Sequence, residues 1–244
     1  RPVRVIRTPA HRGTLRPVGS SPADERAVRR RDIAESRWPM VGALLAALVL
    51  TALIPHPTSP FMHYFIPGVE VALLVVLIAA DPGKIDRRGT WPRLVSLSLV
   101  TVLILGALWA TGGLIHQLVE GTGPVANDAE TLLLTGAIVW ASNNIAFSLL
   151  YWDLDSGGSA ARLQYPPHYP DFAFPQQLNP ELAPPGWRPL FADYLYLGFT
   201  NAMAFSPTDV MPFALWAKAA MTVQSLISLV IVGLVVARAV NAFT

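Results

Sequence analysis

The feature that most constrains this chain is a series of long apolar runs separated by polar turns. WPMVGALLAALVLTALI (Trp38 to Ile54) is followed by segments from about Tyr64 to Ala80, Arg93 to Gln117, Ala129 to Trp152 and Pro212 to Val240. At about 1.5 Å per residue each is long enough, with tilt or interfacial residues, to cross about 30 Å of hydrocarbon. Hydrocarbon offers the backbone no hydrogen bonds, so such runs fold as helices. An all-α integral membrane helical bundle is therefore expected. Composition agrees: of 244 residues 52% are hydrophobic and 14% charged, with a mean hydropathy of +0.43, too little polar surface for an ordinary soluble domain. The expected location is the cell membrane, crossed several times.

A sixth apolar piece, LFADYLYLGFTNAMAFS (Leu190 to Ser206), is shorter and reads two ways. It spans a thin bilayer, or it dips in as a re-entrant helix. If it spans and the N-terminus is cytoplasmic, the outer loops PHPTSPFMH, QLVEGTGPVAND and SPTDVMP hold no Lys or Arg. The inner loops then hold Lys84, Arg87, Arg88, Arg93, Arg162, Arg188 and the terminal Arg238, the division that positive-inside insertion produces. A re-entrant piece instead sends the last helix outward and leaves Arg238 outside. The charge pattern thus favours about six spans with both termini cytoplasmic. No internal repeat is visible, which speaks against a transporter built from inverted halves.

The chain divides into a basic arm (1–37), a four-helix membrane region (38–152), a proline-rich inner loop (153–189) and a C-terminal hairpin (190–244). Of the 18 Lys and Arg, ten precede Trp38, among them Arg29, Arg30 and Arg31, so the net charge of +2 hides a strongly basic arm. Such an arm sets topology and touches anionic lipid. It lacks the aromatic interleaving expected of a nucleic-acid binder, so no nucleic-acid partner is expected. It also lacks a signal peptide's apolar core and cleavage site, and the chain opens on Arg1, so its start is expected upstream. The inner loop carries prolines at 166, 167, 170, 175, 180, 184, 185 and 189, which forbid a regular helix. Its aromatic residues, Phe172, Phe174 and Trp187 among them, either lie on the protein's own bundle or grip a partner.

Ionisable and amide side chains inside spans are expensive, so each one marks a candidate site. Glu70 sits mid-span in FIPGVEVALLV, just after Pro67 and Gly68, and Lys218 lies about two turns into the last span. Either Glu70 pairs with Lys218 or another donor, or it serves an ion or proton pathway, or it keeps its proton and makes a simple hydrogen bond. Asn143 and Asn144 in IVWASNNIAFSLL are expected to hydrogen-bond between helices. Gln224 and Ser225, with Thr200 and Asn201, can face the same interior, which would give the bundle a polar core. The SPTD turn supplies Asp209 either as a helix cap or as a cation or small-solute ligand.

No cysteine is present, which excludes disulfides, thiolate catalysis and cysteine metal sites. His56, His63, His116 and Asp128 match no metal-ligand spacing, and no nucleophile elbow, zinc-protease, phosphate-loop or dinucleotide motif occurs. No enzyme activity, metal or cofactor is expected.

The run DYLYLGFTNAMAFSPTDVMP (Asp193 to Pro212), with the long helix ending VVARAVN, resembles an uncharacterised family of bacterial polytopic membrane proteins. That family's C-terminal hairpin is similar to the pore module of two-transmembrane potassium channels. The resemblance covers about the last 50 residues. It implies that Tyr194, Tyr196, Phe199 and Thr200 belong to a pore-type helix, Asp209 to the acid closing the loop, and Arg238 to the inner-helix end. From Asn201 to Asp209 there is no glycine and Pro207 intervenes, so a potassium filter of stacked carbonyls is not expected.

Two functions follow as expectations. One is a channel-like or transport protein for ions or small solutes, with Glu70, Asn143, Asn144, Thr200, Asn201, Asp209 and Lys218 along a polar path. The other is a non-catalytic accessory or scaffold subunit, whose arm and loop hold other membrane subunits or further copies of the chain.

Overall fold

The computed structural model describes residues 35–36, 38–54, 60–80, 84–85, 90–121, 125, 128–164, 169–204 and 209–242. These fall in one compact unit, Ala34–Thr244. Residues 1–34 of the basic arm, including Arg29, Arg30 and Arg31, lie outside the described residues, as do Ser206 and Pro207.

The apolar runs form helices. These are α1 (Trp38–Ala52), α2 (Pro60–Ala80), α3 (Thr90–Glu120), α4 (Ala129–Leu154), α7 (Phe191–Ala204) and α8 (Leu215–Ala242), with the short α5 (Ser159–Gln164) and α6 (Pro175–Leu178) in the loop between. Three helices, Arg93–Glu120, Ala129–Arg162 and Leu215–Val240, are long and apolar enough to cross a membrane, and Trp38–Ala52 and Tyr64–Ala79 are shorter apolar helices. Two two-residue ladders complete the structure. β1 (Glu35–Ser36) pairs antiparallel with β2 (Lys84–Ile85), and β3 (Phe172–Ala173) with β4 (Met211–Pro212).

α4 is the hub, packing against α1, α3, α7 and α8. It starts at Asp128, whose carboxylate accepts the Thr131 N–H at 2.7 Å. It ends where its last carbonyls are capped by two arginines, one from the next turn and one from another helix. Arg162 Nη1 donates to the carbonyls of Trp152 (2.8 Å) and Asp155 (2.7 Å), and Arg93 Nη1 to that of Asp153 (2.7 Å). Cations at a helix carboxyl end also complement its dipole. Beyond α4, Ser156, Gly157 and Gly158 all have positive φ (52°, 80° and 90°). The Arg93 guanidinium occupies the space that a Cβ on Gly158 would need, so glycine there serves both the turn and the cap.

The ladders and caps sort the chain between two ends of the bundle. At one end, here the basic end, lie β1 and β2, the start of α3 at Arg93, the end of α4 and the proline-rich loop. At the far end Ile54 packs with Leu114, Leu118, Val125, Leu132 and Val235, and the Arg238 guanidinium lies against Gly121. Residues 35 and 242 therefore stand at opposite ends.

This arrangement corrects the expected path of residues 190–206. α7 begins at the basic end, where Phe191 packs edge-on against Trp152 and the Tyr194 hydroxyl donates to Asp155. It runs antiparallel to α4, so that Phe199 reaches Trp140 near the midpoint of that helix, and stops at Ala204. Met211 is already back at the basic end, paired with Ala173, while Phe213 N–H donates to the Asp171 carbonyl at 2.8 Å. α8 then runs the full length of the bundle. α7 and α8 thus both start at the basic end. The six-span count and the placement of both termini on one side are not borne out: the contacts of Phe172 with Trp216 and of Asp171 with Phe213 hold the start of α8 at the end where α7 began, and residues 35 and 242 stand at opposite ends.

Candidate functional site

α7 is anchored by side chains from three helices. Gln224 of α8 is 1% exposed and uses its whole amide. Its Oε1 accepts from the Tyr151 hydroxyl and from Asn201 Nδ2, both at 2.7 Å. Its Nε2 donates to the Gly198 carbonyl at 3.0 Å and toward Asn144 Oδ1 at 3.4 Å. Two acceptor sites and two donors exhaust a carboxamide. Asn201 Nδ2 also donates to the Met221 carbonyl (3.0 Å), and Ser225 Oγ donates to the Asn201 carbonyl and Oδ1 (both 3.2 Å). The Asn201 carbonyl is one of the last four of α7, which a helix end leaves without an internal partner.

Close approach makes the cluster possible. A Cβ on Gly198 would run into Ser148 Oγ and come within 2.9 Å of Asn144 Oδ1, so α7 touches α4 here because residue 198 has no side chain. Ser148 Oγ, which fills that space against Gly198, donates back to the Asn144 carbonyl at 2.7 Å and is satisfied within its own helix.

At the basic end an aromatic and ionic cluster holds the proline-rich loop on the bundle. Phe172 packs edge-on against Tyr151, Tyr194 and Trp216, and Phe174 against Tyr194 and, tilted, against Trp187. Arg162 stacks over the Tyr194 ring at 5.0 Å. Asp155 accepts from Ser156 Oγ (2.7 Å), and Asp171 accepts the Ser156 N–H (2.8 Å). Arg93 pairs with Asp153 at 3.1 Å, and Ser96 Oγ donates to the same carboxylate oxygen at 3.1 Å. Phe172 and Phe174 are buried and Trp187 half-buried, so these three lie on the protein's own bundle, the first of the two alternatives, whereas Tyr169 is exposed.

The residues expected along one path are dispersed. Asn144 and Asn201 meet through Gln224, but Asn143 turns to α3, where its Nδ2 donates to Thr111 Oγ1 at 2.7 Å. The Thr200 hydroxyl donates back to its own helix, at the Tyr196 and Leu197 carbonyls (2.9 and 3.1 Å). Asp209 and Lys218 are exposed. Glu70 is 3% exposed and packs on α3 beside Gly106, with no hydrogen bond to the amide cluster and no ion pair with Lys218 among the described residues. No Glu70–Lys218 pair forms: α2 packs chiefly against α3 and α1, and Lys218 is exposed while Glu70 is buried.

Tyr151, Gly198, Asp155 and Arg162 were not singled out in the sequence as site residues. A small residue inside a short apolar helix was the available signal for Gly198. No family model, no curated protein and no solved structure matches this chain.

Proposed function

We propose that this chain is a multi-pass protein of the cell membrane and a channel-like or transport subunit for ions or small solutes. Five helices cross, namely α1 to α4 and α8, and α7 dips in as a half-helix from the cytoplasmic face. The basic end, with Lys84, Arg93, Arg162 and Arg188, is assigned to the cytoplasm with the arm, and the far end, with Glu120, Asp128 and Glu130, to the outside. The basic arm then meets anionic lipid.

The observation that carries this reading is that α7 stops halfway and the chain restarts at the end where α7 began. Backbone that leaves a helix at membrane depth is stable only against protein or a water-filled cavity. The carboxyl end of a half-helix is electronegative, which favours a cation nearby. Half-helix, return and full crossing follow the order of the pore module that the sequence resembles, entered here from the basic side. The outward flank of α7 has Tyr196, Phe199 and Met203 exposed and Thr200 half-exposed, and Asp209 and Lys218 are exposed as well. A path between copies of the chain runs along that flank, and not through the amide cluster, whose groups are consumed by one another.

The test is cation flux into liposomes containing the purified protein. Thr200→Trp is expected to abolish the flux and Asp209→Asn to reduce it. Rates equal to those of empty liposomes, or unchanged by both substitutions, overturn permeation. Topology is read separately, since the native chain has no cysteine. A cysteine at Asp209 and one at Glu181 are expected to react with an impermeant maleimide from the same face, and one at Glu120 from the opposite face. The self-satisfied amide cluster favours an accessory subunit as the second reading. A second membrane polypeptide retained through purification, with no flux from this chain alone, is its expected result.

A further inference from the structure

A second buried polar group stands apart from the α4–α7–α8 cluster. Glu70 lies at the centre of the 21-residue α2, and its carboxyl group reaches α3 at Gly106, close to the middle of that 31-residue helix. A Cβ on Gly106 would stand 2.8 Å from Ile66 Cγ2 and in ordinary contact, at 3.5 Å, with Glu70 Oε1, so the glycine lets α2 approach α3 closely at Ile66, one turn from Glu70. Glu70 Oε2 is fully enclosed and has no hydrogen-bond partner among the described residues.

Charge is equally distant. The sequence of α1, which with α3 makes the main packing of α2, contains no ionisable residue. On α3 the nearest are Arg93 and His116, thirteen and ten residues from Gly106, or about 20 and 15 Å along the axis. On α2 itself His63 and Tyr64 are the other ionisable positions, about 9 to 10 Å away along the axis. The other buried carboxyls contrast with it. Asp153 and Asp155 sit at the basic end, each with an arginine at 4.0 Å or closer.

We propose that Glu70 is a proton-binding site in the membrane interior, its carboxyl carrying the proton as a neutral acid. This rests on the membrane placement above and is independent of permeation. An unpaired carboxylate in hydrocarbon is the costlier form, and protonation removes the charge without requiring a partner. A metal cation is the poorer occupant, because it requires several oxygen ligands, and Glu70 has none bonded to it among the described residues.

A neutral buried acid has a distinctive reactivity. Its O–H adds across one N=C bond of a carbodiimide, the proton going to nitrogen and the carboxyl oxygen to carbon. The resulting O-acylisourea rearranges by an oxygen-to-nitrogen acyl shift to a stable N-acylurea, with no atom lost. Paired carboxylates at an aqueous surface lack the proton for the first step.

The full chain in lipid nanodiscs is treated with dicyclohexylcarbodiimide at mildly acidic pH and mapped by peptide mass spectrometry. The expected result is one adduct, on the peptide containing Glu70. It is lost in Glu70→Gln and kept in Glu70→Asp, whereas a water-soluble carbodiimide with a hydrophilic amine leaves Glu70 unmodified. An unmodified Glu70 in folded wild-type protein overturns the proposal without any variant being needed. So does equal labelling by the water-soluble reagent, which means that the carboxyl faces water. Labelling at Glu70 without cation flux leaves this site standing and removes permeation, and flux without labelling does the reverse.

Discussion

Replacing Gln224 by leucine removes four hydrogen bonds while nearly preserving volume, and their consequences are unequal. Asn201 Nδ2 keeps the Met221 carbonyl as acceptor, the Gly198 carbonyl remains inside its own helix, and the contact to Asn144 was already long at 3.4 Å. Tyr151 loses its partner outright and its hydroxyl is left enclosed, since the residue is fully buried. A buried hydroxyl left unsatisfied costs about 1–3 kcal/mol, and hydrogen bonds between membrane helices average about 0.6 kcal/mol each. The sum for Gln224→Leu is about 2–4 kcal/mol, roughly a hundredfold in the unfolding equilibrium. The assay is reversible unfolding in mixed micelles by added denaturing detergent, followed by circular dichroism. Tyr151→Phe provides the internal control. In the native background it should destabilise by about 1 kcal/mol, because it removes a satisfied bond. In the Gln224→Leu background it should stabilise, because it removes the orphaned hydroxyl. Equal losses from Tyr151→Phe in both backgrounds would refute the view that these two side chains act as one unit.

Further outcomes follow from the same geometry. Gly198→Val should push α7 off α4, costing about 1–3 kcal/mol and increasing amide hydrogen exchange across 191–204 while α1 to α3 stay protected. Unchanged exchange in that segment argues against the close contact. Arg93→Ala should leave the Asp153 carbonyl and carboxylate short of a partner and lower stability by about 1–3 kcal/mol, less than for a fully buried pair because the arginine side chain is 34% exposed; Arg93→Lys should recover only part of this. The Asp128 carboxyl is held below its ordinary value by its side-chain hydrogen bond with Thr131 and then by the Thr131 backbone N–H. Its stabilising contribution is therefore complete above the unfolded value of about 4 and lost as pH falls through the lowered one. Asp128→Ala should be less stable than the native protein near neutrality and converge with it in acid, as measured by thermal unfolding across pH.

Helix positions were legible because a hydrocarbon solvent leaves a sequence little choice. The run from Ala129 was expected to end at Trp152 and ends at Leu154, and that from Tyr64 starts earlier, at Pro60. The half-helix was legible as an element, but its direction was not. Length did not distinguish it, for α1 is only one residue longer at 15 against 14. The deciding contacts join residues far apart in the chain, such as Tyr151 with Gln224 and Phe172 with Pro212, and no local pattern reports them. Charge counting weighed one arginine against an otherwise clean division, and Arg238 was the informative exception. Asn144 and Asn201 stood out because amides are rare at such depth. Tyr151 did not, since a tyrosine near the end of a span is what an interface ordinarily holds.

The two-residue pairing of Phe172–Ala173 with Met211–Pro212 has a consequence for biogenesis. Residues 191–204 leave the ribosome before any of Met221, Gln224 or Ser225, so the groups that receive the half-helix do not yet exist when it is made. On the proposed topology it would wait at the cytoplasmic surface until the final helix was inserted, and the strand pairing would then close behind it. Docking of this element would be the last step of maturation, and a chain stalled or truncated before Gln224 would hold it as an unburied amphipathic segment.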